Sequence, residues 1–375
     1  MPTVVVAILH LWRTFGLPPG KEVNMKKHGL CVVGNGGMGD WHVRRAQAGD
    51  VVEVIAVHDI KESRNVFAEE IRGVKAYRTL EEVLADKSIE IVTIATPNDV
   101  HESIAIACME AGKHVISEKP VTLSVASLER MIAASERYGV KFSVHQNRRW
   151  DADYLVMKQL FEKQTIGETL NIESRVHGSR GVPGDWRTMK QYGGGMLYDW
   201  GVHMIDQLLM LFKDVKLKSV FCQCDHITSN EVDDGFKLTM WFENGARAYI
   251  EIGTYNFIIL PRFYMQGRHG TALIPDWGKP CQVVECFGWE EKNVTPIQAA
   301  AGLTKTMAPR NEVTTKSYEI ALPESDPHDY YRNFCAAIEG REEQIVTHKQ
   351  MLRVMRVIEA AFESDAKKQV IAFEE

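Results

Sequence analysis

The segment YGGGMLYDWGVHMIDQ, Tyr192 to Gln207, gathers groups that can move a proton. Asp199, His203 and Asp206 stand at positions i, i+4 and i+7, which share one face of an α-helix. An imidazole titrates near pH 6.5 and can act as a general base around neutrality. Carboxylates beside it can orient it or bind a neighbouring hydroxyl. The three glycines ahead of the helix let its start lie close against another group. Taken alone, the stripe equally fits a buried helix whose histidine is satisfied by Asp199.

A second segment, VVGNGGMGDWH, sets Gly34, Gly36 and Gly39 in the spacing G-x-G-x-x-G after a strand and at the start of a helix. The first glycine permits a tight turn, and the second lets backbone approach a pyrophosphate. The third lets helix pack closely on strand, and the helix N-terminus supplies an anion site. Alone this pattern is weak, but VHDIKESR places Asp59 twenty residues beyond Gly39. An acid there accepts hydrogen bonds from adenosine ribose hydroxyls and repels a 2′-phosphate, which predicts NAD rather than NADP. The plainer alternative is a helix cap at Asp59. After two further strands come TPNDVHE, Thr96 to Glu102, and EKP, Glu118 to Pro120. Both belong at the carboxyl edge of a doubly wound sheet, where ligands bind. Pro97 and Pro120 are ordinary punctuation there. The ammonium of Lys119 at that edge can polarise a hydroxyl or carbonyl oxygen, unless it is simply a surface lysine.

These groups need a scaffold, and the hydrophobic pattern describes one. From Leu30 to about Val144, LCVVG, VEVIAVHD, IEIVTIATP, KHVISEKP and VKFSVHQ read as strands apolar on both faces. Amphipathic helices alternate with them, several closed by glycine, as in βαβ units. After Trp150 the texture changes to a helix over about Ala152 to Lys163, a strand at GETLNIESRVHG, and the glycine-led helix. Alternating strands follow, from KSVFCQCDHI through CQVVECFG, with hairpin turns at ENGA and GRHG. Late amphipathic helices close the chain. The expected fold is α/β: an N-terminal Rossmann doubly wound parallel sheet plus a C-terminal α+β domain with a large, mostly antiparallel open sheet. Residues 25–147 are assigned to the first domain. Residues 148–375 are assigned to the second, with its last helices packing back toward the first.

With GNGGMG, ATPNDVH, EKP and GGGMLYDWGVHMIDQ in this order and spacing, the chain resembles the Gfo/Idh/MocA family, the glucose–fructose oxidoreductase and inositol dehydrogenase group. The resemblance runs from about Lys27 to the C-terminus. It implies Lys119, Asp199 and His203 as catalytic residues: the histidine takes the hydroxyl proton, the lysine holds that oxygen, and the aspartate binds a neighbouring hydroxyl or orients the other two. Asp206 matches the motif with a structural role open to it. The cofactor set carried over comprises Gly34, Asn35, Gly36, Gly37, Met38, Gly39 and Asp59 in the first motif. To these it adds Thr96, Pro97, Asn98 and His101, then Glu118 and Lys119. GDWRT resembles the segment that brings a Trp-Arg pair, here Trp186 and Arg187, to the nicotinamide half. HQNRRWDADY is nearest to sugar- and scyllo-inositol-type members and nominates Gln146, Asn147 and Arg149 for substrate binding beside Asp199 and His203. Arg148 and Arg149 as interdomain ion pairs is the alternative.

The expected activity is NAD-dependent oxidation of a secondary hydroxyl of a sugar, glycoside or inositol, including the glucose 3-hydroxyl of a C- or O-glycoside, with NAD either released each turnover or bound tightly and recycled. The alternative within the family is an NAD-dependent glycosidase using transient C3 oxidation and elimination. A non-catalytic NAD sensor is a third reading, disfavoured by the intact Lys119, Asp199 and His203 set. Family members commonly assemble as homo-oligomers through the C-terminal sheet.

Composition agrees with a globular chain: 375 residues are too many for one ordinary core, 45% are hydrophobic and 25% charged. A net charge of −6 without dense basic runs argues against nucleic-acid and anionic-membrane partners. Seven scattered cysteines suggest reduced thiols and a cytoplasmic setting. Cys222 and Cys224 fall on one face of a strand without a second ligand pair, so no metal site is expected. Residues 1–24 carry the apolar run VVVAILHLW, too short for a membrane span. They read either as an added arm or, preferentially, as upstream sequence ahead of a start at Met25.

Overall fold

Strands buried on both faces require helices on both sides of their sheet, and that is how the first half folds. The computed structural model describes residues 27–288, 292, 294–310 and 312–375, so the expectations for residues 1–24 lie outside the described residues. The first sheet comprises β1 (His28–Val33), β2 (Val52–His58), β3 (Lys75–Tyr77), β4 (Ile91–Ile94), β5 (His114–Ser117) and β6 (Phe142–Val144). All its pairings are parallel, in the order 3-2-1-4-5-6. The crossovers carry α1 (Gly37–Ala48), α2 (Glu62–Phe67), α3 (Leu80–Ala85), α4 (His101–Glu110) and α5 (Val125–Tyr138). Leu30, Val32, Ile91, Val92 and Ile94 are fully enclosed at its centre. Strand order reverses between β1 and β4, which opens a crevice beyond their carboxyl ends.

The second half begins with α6 (Ala152–Glu162), β7 (Thr169–His177) and α7 (Val202–Leu211). Then come β8 (Leu217–Asp225), β9 (Gly235–Phe242), β10 (Arg247–Gly253), β11 (Phe263–Gly267), β12 (Gly270–Ile274) and β13 (Cys281–Cys286). A small hairpin, β14 (Ile297–Ala299) and β15 (Gly302–Thr304), precedes β16 (Thr315–Ile320), α8 (Asp329–Ile338), α9 (His348–Lys367) and β17 (Ile371–Ala372). Nine of these strands form one sheet in the order 16-13-12-11-7-10-9-8-17. Neighbours are antiparallel except β7 with β10, which run parallel.

Alternation decides which face is covered. On β9, Phe236, Leu238, Met240 and Phe242 are buried, and α7 and α9 pack against that side of the sheet. The opposite face carries Glu173, Arg175, Tyr249 and Glu251 in a ladder of ion pairs and hydrogen bonds. α9 also packs on α5, and α8 sends the Tyr330 hydroxyl to the Val144 carbonyl and the Tyr331 hydroxyl to His42. The last two helices therefore hold the two sheets together. All seven cysteines are free thiols. Among the described residues no helix is long and apolar enough to cross a membrane.

Candidate active site

The glycine turn after β1 is shaped for close backbone approach. Gly34 has φ +90°, and a Cβ there would lie 2.6 Å from the Ala95 carbonyl oxygen. A Cβ on Gly39 would run into the Gly34 carbonyl oxygen, so α1 can sit on β1 only with glycine at that position. Gly36, Gly37 and Met38 follow at the exposed start of α1, whose first N–H groups have no partner within the helix. At the end of β2, Asp59 is 4% exposed and accepts from the backbone N–H of Asn35 at 2.8 Å and of Lys61 at 2.8 Å. Beside this turn the Asn35 amide oxygen and the Thr96 hydroxyl are buried without a protein partner. A glycine cradle, a helix N-terminus, an acid at the end of β2 and two orphaned polar atoms together fit an adenine dinucleotide.

Across the crevice the second half brings its own groups. The ammonium of Lys119 lies 2.9 Å from a carboxylate oxygen of Asp199 and 2.9 Å from its backbone oxygen. The other carboxylate oxygen of Asp199 accepts from Arg187 Nε at 3.1 Å. Burial opposes ionisation of Asp199, but these two cations outweigh it and hold the carboxyl below its usual range. Arg187 also lies over the Trp186 ring at 4.6 Å, so the GDWRT segment does reach this cluster.

His203 does not pair with Asp199. Its Nδ1 lies 3.2 Å from the Gln146 side-chain oxygen, which can only accept, so Nδ1 carries the proton and Nε2 is left as the basic nitrogen. Burial, followed by the Lys119 and Arg148 charges, pushes the His203 pKa well below the usual histidine value. The expected single stripe is broken for a backbone reason. Residues Leu197–Gly201 form a wider turn with i to i+5 hydrogen bonding, which shifts Asp199 out of register with His203. Asp199 thus faces Lys119 and Arg187, while His203 stands on Gln146.

Several residues nominated from sequence point away from the crevice. Arg149 makes a two-pronged buried pair with Asp206 at 2.7 and 2.6 Å and also donates to Ile345 O and Gln350. It fastens the Asn147–Trp150 turn to α7 and the start of α9, and Asp206 is its structural counterion. Asn147 stays half-buried on that turn. His101 is fully enclosed, with its ring nitrogens 3.0 Å from the Thr96 carbonyl and 3.1 Å from the Pro120 carbonyl. It pins the two crevice loops together from behind. The Asn98 amide donates to Tyr192 O at 2.9 Å, tying the same loop to the second half, while Pro97 is exposed. The Glu118 carboxylate is clamped by His42 at 2.8 Å and His145 at 2.9 Å and accepts the Lys119 backbone N–H at 3.0 Å. Burial opposes its ionisation, but His145 and His42 outweigh it and hold the carboxyl well below its usual range. The side chains of Asn98, His101 and Glu118, expected as cofactor contacts, make these protein contacts around the crevice.

Other residues at the site carried no sequence signal strong enough to nominate them. The Arg64 guanidinium lies 3.0 Å from Asp59 and beside Gly36. One turn of helix after Asp59 was enough to bring it back, a spacing that could have flagged it. Arg148 stacks 4.3 Å over Trp200, and Trp277 lies 6.3 Å from Trp200. Trp277 comes from the β12–β13 loop, which no local pattern connects to a site.

Two family models match the chain. One, described as an oxidoreductase family with an NAD-binding Rossmann fold, covers residues 29–146. The other, a GFO/IDH/MocA C-terminal domain, covers residues 154–273. A solved NAD-binding protein from Listeria innocua is 44% identical, with a TM-score of 0.89 over 93% of this chain and 100% of that one. The scyllo-inositol 2-dehydrogenase (NADP(+)) of Bacillus subtilis is 29% identical over 351 residues, 87% of this chain and 92% of that protein. The inositol 2-dehydrogenase of Salmonella typhimurium is 30% identical over 226 residues, 59% of this chain and 66% of that protein.

Proposed function

The chain belongs to the Gfo/Idh/MocA oxidoreductase family, and from this premise we propose that it oxidises a ring hydroxyl of a cyclic polyol, sugar or glycoside, with NAD as the preferred hydride acceptor. It is an NAD(P)-dependent oxidoreductase acting on CH–OH groups. Bound NAD would accept the hydride from the carbon bearing the hydroxyl. Gly34, Gly36, the start of α1 and Asp59 would hold it. His203 Nε2 takes the hydroxyl proton while Gln146 keeps Nδ1 protonated and the ring oriented. Lys119, held by Asp199, donates to the same oxygen and stabilises the negative charge that develops on it. Arg187 fixes the second oxygen of Asp199, so that carboxylate stays ionised and in place.

The observation that carries this reading is the Lys119–Asp199 contact across the crevice with the bare His203 nitrogen beside it. The inositol dehydrogenases among the relatives support a polyol as the substrate class. Mass spectrometry of nucleotide carried by the purified protein, then a panel of inositols, hexoses and glycosides followed at the NADH absorbance, tests it. The expected result is NAD reduction with at least one ring polyol. Aglycone release without net NAD reduction would point to the elimination route instead, and no turnover with any polyol and either cofactor would overturn the reading.

Cofactor choice rests on Asp59, with Arg64 as a counterweight at its edge. Asp59→Ala is expected to narrow the preference for NAD, and Arg64→Ala to widen it. Tighter binding of NADP than NAD by the unaltered chain would reverse the assignment. The polar open face of the nine-stranded sheet is the surface proposed for homo-oligomer formation, which light scattering reads directly.

A further inference from the structure

Two indoles lead outward from His203. Its ring lies 6.4 Å from that of Trp200, and Trp200 in turn lies 6.3 Å from Trp277. His203 is 4% exposed and Trp277 is 41% exposed, so the row runs from the buried base to the surface. Arg148 seats its guanidinium 4.3 Å over Trp200 and 5.6 Å from Trp277, and Gln207 holds the Arg148 carbonyl at 2.6 Å. Arg262, itself buried, braces Trp277 at 4.4 Å. Two indoles tilted 50° to one another and fixed by two guanidinium groups present an angled apolar wall with little freedom to lose on binding.

The charges around this wall are already balanced. Lys119 has Asp199 at 2.9 Å, and Arg187 has Asp199 at 3.1 Å and Asp185 at 2.8 Å. Arg148 has Asp151 at 3.0 Å, and Arg262 has Asp153 at 3.0 Å. Four cations are thus matched by four carboxylates, so a ligand phosphate or carboxylate would meet no net positive charge here to offset its desolvation.

We propose that Trp200 and Trp277, braced by Arg148, form a stacking subsite that selects an uncharged ring and rejects its phosphorylated or acidic counterparts. This inference rests on the oxidoreductase reading above and names the substrate class of that same site. The stacked face is either the C–H face of the reacting ring or an apolar ring attached to it. In both cases the ligand is neutral and lies flat on the indole.

Calorimetric titration of the full chain with NADH, which cannot accept a hydride, reads binding, and a parallel assay with NAD reads turnover. The probes are myo-inositol, methyl β-glucoside, phenyl β-glucoside and glucose 6-phosphate. Neutral probes are expected to bind more tightly than glucose 6-phosphate. Trp277→Ala should weaken neutral binding and raise KM by about tenfold with kcat within about twofold, and Trp277→Phe should restore most of the loss. A loss confined to the phenyl glucoside assigns the wall to an attached ring, and a loss shared by all neutral probes assigns it to the reacting ring. Trp277 is partly exposed, so the variant should fold, which its melting temperature verifies. Neutral binding that depends on Trp277 without turnover by the unaltered chain upholds the wall and overturns the oxidation reading. Turnover with a Trp277→Ala KM within twofold of the unaltered chain overturns the wall and leaves that reading intact. Tighter binding of glucose 6-phosphate, or no binding of any neutral probe, overturns the inference.

Discussion

His203 is a base kept neutral by its surroundings. Burial and the nearby Lys119 and Arg148 charges lower its pKa well below the ordinary value of about 6.5. The acid limb of kcat/KM is therefore expected well below pH 6.5, with activity flat through neutrality, and a limb centred at or above that value would contradict the environment described. His203→Ala should lower kcat by about 10² to 10⁴ while NAD binding changes little, since the imidazole addresses the substrate oxygen. Arg149, three residues beyond Gln146, should behave quite differently. Its guanidinium is the buried counterion of Asp206, so Arg149→Ala should cost about 3–5 kcal/mol in a denaturant melt. If Arg149→Ala melts like the unaltered chain yet raises KM sharply, the substrate role suggested by its sequence neighbourhood stands after all. Gln146, Arg148 and Arg149 are neighbours in the chain, but a tight turn sends them to the base, to the indole wall and to the core respectively. One-dimensional spacing has no means of separating those directions.

Elements place these side chains through backbone geometry that glycine alone allows. Gly39 lets α1 approach β1 closely enough for the N-terminus of that helix to face a phosphate. Gly39→Ala must push the helix off the strand, since its Cβ would occupy the position of the Gly34 carbonyl oxygen. The expected outcome is a loss of about 1–3 kcal/mol of stability and at least about a tenfold loss of dinucleotide affinity, read by thermal melting and titration. Unchanged affinity would mean that the cofactor does not use this helix. Five of the six parallel strands, the crossover helices α1, α2, α4 and α5, and then α6 and α7 follow from periodicity, because apolar runs and amphipathic helices repeat with distinct spacings. By contrast, β3 and α3 are too short to show it. The short β14 to β17 did not stand out, since two to six partly exposed residues carry too little pattern. The wide turn at Leu197–Gly201 was equally hidden. Its residues fit an ordinary helix, and only packing against the crevice opens the extra width.

At the scale of the molecule, two sheets share one site, and its histidines are buried at the junction. His42, His101 and His203 all have pKa values lowered, chiefly by burial. In the unfolded chain they protonate near pH 6.5, so the unfolded state binds more protons below that pH and stability falls as pH drops through this window. Glu118 acts in the same direction at lower pH, since its depressed pKa makes its contribution disappear on acidification. Asp233, raised to about 7 by burial, works the other way by binding a proton in the folded state first. His114 and His348 are lowered by burial as well, and Asp151 is raised by burial like Asp233. With five histidines against two aspartates, the melting temperature is expected to fall between pH 7 and 5. A melting temperature that rises over that interval would show that Asp233 dominates.

The two-sheet α/β plan, the dinucleotide turn and the candidacy of Lys119, Asp199 and His203 for the proposed site were legible in sequence. Each depends on local backbone rules, strand and helix periods or glycine spacing, which act within a few residues. Tertiary structure alone decided which side chains meet. It joined Lys119 to Asp199 across 80 positions and gave His203 to Gln146 rather than Asp199. It turned Asn98, His101, Glu118 and Arg149 inward and carried Trp277 from a distant sheet loop to the wall beside the base. The physical reason is that side-chain direction depends on the packing of elements far apart in the chain, and no spacing along the sequence encodes that distance.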